Sequence, residues 1–188
     1  MNVADNQGDT LLVIARNAIA AQLGEAGIEY CTDDWLRTPA ATFVTLTRQG
    51  ALRGCIGSLE PHRSLLDDVV ANAIAAATRD HRFPQLQASE LGVTRIEVSL
   101  LSQSITMHFT SEQNVLAQLR PGIDGVVLQY GHRRGTFLPQ VWESLPEPGD
   151  FLAALKQKAG IPADFWNEDI QLSRYTVTKW KEVEPDHG

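Results

Sequence analysis

The run LRGCIGSLEP at residues 52–61 gathers the residue types in this chain best suited to chemistry. It sets Cys55 between Gly54 and Gly57, two positions after Arg53, at the end of a predicted strand. Side chains alternate along a strand, which predicts Arg53 and Cys55 on one face and Leu52, Gly54 and Ile56 on the other. A guanidinium beside a thiol favours the thiolate, the nucleophilic form. Glycine has no Cβ, so a ligand or another stretch of backbone can come close at Gly54 and Gly57.

Each of these residues carries two readings. Cys55 is either a small buried hydrophobe or a reactive, substrate-contacting thiol. Arg53 either ties two strands together through an ion pair or holds a ligand's carboxylate or phosphate, because its planar fork does both. Glu97, on the polar face of its own strand, is the expected partner of Arg53 or the group that moves a proton. Ser58 and Glu60 stand either at the rim of a site or merely in the exit loop. A covalent cysteine mechanism needs a base, and the sequence displays none.

Other chemistries lack their signatures. Ser58, Ser99 and Ser102 sit outside any GxSxG context. The histidines, His62, His81, His108, His132 and His187, show no metal-ligand spacing, and no phosphate-binding glycine motif is present. No metal and no cofactor is therefore expected. The net charge of −7 argues against a general nucleic-acid binder, so the basic run His132-Arg133-Arg134 reads as a solvated tip. No apolar run approaches the roughly 20 residues that span a bilayer. The polar residues 1–9 carry no signal-peptide pattern, so a cytoplasmic location is expected, with Cys31 and Cys55 as free thiols.

Several elements must position these groups. Leu12, Ala15, Ile19 and Leu23 form one stripe of a helix predicted over Asp9–Leu23. A hairpin follows, 42–48 and 51–57, turning at Gln49-Gly50, with Val44 and Leu46 expected to pack with Leu52 and Ile56. Ser64, with Asp67 three residues later, should cap a second helix. A strand is predicted over Thr94–Leu101. Ser111 should start a third helix. A second hairpin near Gly125–Leu138 turns through 131–135, and Asp150 should cap a fourth helix. One or two strands end the chain between Ile170 and Val183. The order helix, hairpin, helix occurs around 11–79 and again around 111–159, which suggests an internal duplication. The expected class is α+β, largely antiparallel sheet with packed helices, in a single domain over 1–188.

These blocks resemble the AMMECR domain family, most closely its bacterial branch, the A proteins of the AmmeMemoRadiSam system. The resemblance rests on FVTL at 43–46, LRGCIGSLEP at 52–61, RFPQL at 82–86 and IEVSLLS at 96–102. It continues through GIDGVVL at 122–128, RRGTFLPQVW at 133–142 and KAGIP at 158–162. It implies two lobes around a cleft lined by the LRGCIG segment. Carried over, Arg53, Gly54, Cys55 and Gly57 match the signature, Glu97 matches the acidic position of the EVS block, and Thr136 falls in the block that would reach the cleft. Read together with the residue chemistry, the matched positions give a small enzyme as the first expectation, with Cys55 and Glu97 as catalytic candidates and Arg53, Gly54, Gly57 and Thr136 as substrate contacts. The ligand class is an anionic or amide-containing small molecule. The alternative is a non-catalytic module serving a Memo-like protein and a radical S-adenosylmethionine enzyme. Two distant cysteines cannot themselves hold that enzyme's cluster. One departure is Asp80-His81-Arg82, where relatives carry a proline at the middle position; the change bears on stiffness only.

Overall fold

Residues 3–25 and 33–183 are described by a computed structural model. Cys31 and His187 lie outside the described residues, and with them the expectation for the cysteine pair. The chain forms two compact units, residues 1–101 with 178–188, and residues 102–177.

In the first unit, α1 (Val3–Gln22) begins six residues earlier than the apolar stripe predicts and buries Leu11, Ile14, Ala15, Ala18 and Ile19. The hairpin is β1 (Pro39–Arg48) and β2 (Ala51–Gly57). Gln49 and Gly50 take φ of 51° and 77°, the left-handed pair of a two-residue turn whose twist matches the flanking strands. A two-residue strand, β3 (Arg63–Ser64), pairs with β1. Then comes α2 (Leu65–Thr78), where the Asp67 N–H donates to Ser64 Oγ at 3.2 Å, the expected cap. After α3 (Ala88–Leu91), β4 (Thr94–Leu101) pairs antiparallel with β1. Val44, Leu46, Ile96 and Val98 are wholly buried in one core with the apolar faces of α1 and α2.

The hairpin's register corrects the simple alternation. Thr45 opposes Cys55 and Leu46 opposes Gly54, but Thr47 opposes Leu52, so Arg53 is the extra residue of a β-bulge. Past the bulge the faces exchange. Leu52 is therefore 42% exposed instead of packing with Val44 and Leu46.

The second unit carries β5 (Ile105–Thr106), α4 (Glu112–Gln118), β6 (Gly125–Tyr130), β7 (Arg133–Phe137), α5 (Pro148–Lys158) and β8 (Gln171–Tyr175). Its antiparallel sheet has the order β5-β8-β6-β7. Val126, Leu128, Leu172, Phe151, Leu152 and Leu155 fill its core, with the Trp142 ring stacked on Phe151 at 3.8 Å. Two boundaries differ from expectation. The turn is only Gly131-His132, because residues 133–135 stay in the ladder with 128–130. Helix α5 starts at Pro148 rather than at an Asp150 cap, since a proline at the first helical position gives up only an N–H that has no helical partner. The last strand, β9 (Val177–Lys181), completes the first unit's sheet in the order β2-β1-β4-β9.

The fold class is α+β, with antiparallel sheets and, among the described residues, five α-helices. Among the described residues no helix is long and apolar enough to cross a membrane.

Candidate functional site

Cys55 lies on β2, the edge strand of its sheet, and is half-buried. Its N–H donates to Asp80 Oδ2 at 2.8 Å and its carbonyl accepts from Arg82 Nη2 at 3.3 Å. Both backbone groups therefore point away from β1, which makes Cys55 and Thr45 a non-hydrogen-bonded pair with side chains close together. The Thr45 hydroxyl accordingly donates to Cys55 Sγ at 3.3 Å. Thr45 also opposes Glu97 across β4, so Cys55, Thr45 and Glu97 form one row on the sheet face opposite Val44 and Val98. Lys179 Nζ stands 4.0 Å from the Glu97 carboxylate.

The guanidinium that serves Cys55 is not that of Arg53. Arg53, displaced by the bulge, forks onto Glu90 with Nε and Nη2 at 3.1 and 2.9 Å. It also donates to the carbonyls of Pro84 and Gln85. Glu97, its expected partner, lies elsewhere. Arg48 reaches the same Glu90 at 3.0 Å, so α3 clips both strands of the hairpin. The Arg53 fork, helped by the Gln87 N–H, lowers the Glu90 carboxyl from 4.5 to about 2. The geometry makes Arg53 a strut.

Arg82 is the guanidinium that reaches Cys55, through the backbone carbonyl. It chelates Asp80 through Nε and Nη2 at 2.9 and 2.7 Å, which fixes the guanidinium against β2. Hydrogen bonding from Arg82 holds the Asp80 carboxyl far below the usual carboxylate range. In turn Asp80 raises Arg82, with a smaller contribution from the charge of Cys55. The guanidinium is 58% exposed, and Phe83 lies 5.5 Å beneath it.

The two glycines admit parts of the protein itself. A Cβ on Gly54 would fall 2.2 Å from the Ala76 carbonyl oxygen of α2. On Gly57 it would fall 2.2 Å from the Phe43 ring. The positions in which a ligand was expected are occupied. In the second unit Gly135 stands similarly against Ala159, at the end of α5.

The exit loop is also tied down internally. Ser58 Oγ donates to Asp68 at 2.7 Å, and Asp68 accepts further bonds from Thr42, Arg63 and Asn72. This network anchors residues 58–64 to α2, which favours the exit-loop reading of Ser58. Thr136 belongs to the second unit, where its hydroxyl lies 3.2 Å from the Tyr175 phenol oxygen. Among the described residues no cluster of His, Cys, Asp and Glu has the arrangement of a metal site.

Four contributors escaped the sequence reading: Thr45, Asp80, Arg82 and Glu90. Glu90 had a readable signal, because Gln87 and Glu90 form a reciprocal capping box three residues apart. Asp80 and Arg82 stood in or beside blocks that carry the family resemblance, but only the return of the chain after α2 brings them to the edge of β2.

Comparison with known proteins agrees with the blocks that surround this site. The AMMECR1 family model matches residues 12–180. The chain belongs to the AMMECR1 family. A relative in Methanothermobacter thermautotrophicus is 36% identical over 179 residues, covering 90% of this chain and 91% of its own. One in Thermotoga maritima is 37% identical over 155 residues, covering 81% and 84%. The crystal structure of an uncharacterized protein from Pyrococcus horikoshii is similar at a TM-score of 0.78 and 33% identity, covering 95% of this chain and 92% of that one. Within the AMMECR1 family this chain thus has relatives that match it over most of their length.

Proposed function

We propose that this AMMECR1-family chain is a cytoplasmic binding protein or accessory subunit that presents Cys55, Thr45 and Arg82 as a contact surface for an anionic or amide-containing group. The observation that carries the reading is the set of donors held at Cys55, the Thr45 hydroxyl on Sγ and the Arg82 guanidinium on the carbonyl, the latter fixed by its fork onto Asp80. Arg82 commits Nε and Nη2 to Asp80 and Cys55, which leaves Nη1 to meet an anion. The resemblance to the bacterial A proteins supplies the partners of this reading, a Memo-like protein and a radical S-adenosylmethionine enzyme. The test is a thermal-shift screen of small carboxylates, phosphates and amides. A ligand of this surface raises the melting temperature of the wild type and not of Arg82→Ala. A ligand that stabilises both equally removes the reading.

The Thr45 hydroxyl on Sγ, the Arg82 contact with the Cys55 carbonyl and the place of Glu97 in the same row support a second reading, a small enzyme with Cys55 as nucleophile and Glu97 as a proton-handling neighbour. Native Cys55 would then be alkylated by iodoacetamide much faster than in Arg82→Ala. Equal rates leave only the binding protein.

A further inference from the structure

The second unit contains a hollow of about 840 Å³ at one end of its sheet, within the range of small-molecule sites. Its apolar wall is made by Ile161, Pro162 and the rings of Tyr130 and Phe165, whose centroids are 5.2 Å apart. That wall is preformed. Lys156, buried in α5, donates to the carbonyls of Ala163 and Phe165 and pairs with Glu112, which fixes the loop bearing Phe165.

Polar groups with bonding capacity to spare surround the wall, Gln129 spending one long donor contact of 3.5 Å on the Gly131 carbonyl. Gln129 and Gln171 oppose each other in register on β6 and β8. Arg133 gives Nη1 to the Gly160 carbonyl at 2.8 Å; its Nε and Nη2 have no acceptor among the described residues. The Asp169 carboxylate has no cation partner among the described residues, whereas Asp124, Glu112 and Lys156 of the same unit are all paired.

We infer that this hollow binds a nucleoside monophosphate. The wall, with its two rings inclined at 55°, offers one aromatic face on which a heterocycle can stack, and a carboxamide offers the donor and acceptor that its edge requires. The free side of the Arg133 fork matches two phosphate oxygens. Asp169 can accept from ribose hydroxyls, and its charge opposes the larger charge of a di- or triphosphate. A bare anion gains nothing from the apolar wall and meets Asp169 as well. The site shares no residue with the Cys55 surface, so either can fail alone.

Calorimetric titration of the full chain with AMP, GMP, CMP, UMP, adenosine and inorganic phosphate tests the inference. At least one monophosphate should bind. Arg133→Ala should weaken it about tenfold while leaving the weaker binding of its nucleoside unchanged. Gln171→Ala should weaken nucleotide and nucleoside together. Both substitutions are at exposed positions, so the fold stays intact. Three results overturn the inference: no monophosphate bound at about 5 mM, phosphate binding as tightly as the nucleotides, or nucleotide binding undiminished in both variants.

Discussion

Replacing each glycine of the LRGCIG segment by alanine separates a backbone constraint from a side-chain one. At Gly54 the new methyl would sit 2.2 Å from the Ala76 carbonyl oxygen, well inside the 3.4 Å of ordinary contact. Relief of about 1.2 Å must come from β2 or from α2, both fixed by the core that contains Leu46, Val69 and Ala73. Overpacking costs about 1–3 kcal/mol where side chains can adjust, and more where backbone must move, so Gly54→Ala should cost about 3 kcal/mol or more. At Gly57 the same methyl meets the Phe43 ring, which can turn about χ1 for about 1 kcal/mol. Urea denaturation followed by circular dichroism measures both, with the slope checked for constancy. For a chain of this length the difference corresponds to a gap of roughly 4–8 °C in melting temperature. If Gly54→Ala is as stable as Gly57→Ala, the close packing of α2 on β2 is not what requires glycine there.

Three further substitutions test the struts. Glu90 is depressed from 4.5 to about 2, so its contribution is complete above 4.5 and is lost as pH falls towards 2. The ceiling is about 3 kcal/mol before solvent screening; Arg53→Ala should flatten this part of the stability–pH curve, and an unchanged curve between pH 5 and 2 would refute the pairing. Lys156→Met strands the Ala163 and Phe165 carbonyls, and should cost about 2–4 kcal/mol by urea denaturation. Glu112→Gln keeps an acceptor for the buried Lys156 ammonium but removes its counter-charge, and should cost about 1–2 kcal/mol; a cost above that of Lys156→Met would show that the carbonyl contacts carry little of the energy.

What the sequence by itself determined is local. Gln49-Gly50 specified the hairpin turn because few other pairs accept two left-handed residues in succession. Ser64 specified the start of α2 because its hydroxyl meets an N–H only three residues away. The β4 span was readable because polar and apolar residues alternate from Arg95 to Leu100. The candidate site was legible only in part: Cys55 and Glu97 share a face because both oppose Thr45, a matter of register, and the alternation expected for Arg53 failed. A bulge depends on how two strands register, which no single strand records. Tertiary structure alone decided that Arg53 serves Glu90, that Gly54 makes room for α2, and that Arg82, 27 residues along the chain, supplies the guanidinium beside Cys55. Those pairings depend on where α2 returns the chain, and the helix direction is set by packing on the sheet rather than by residues near Cys55.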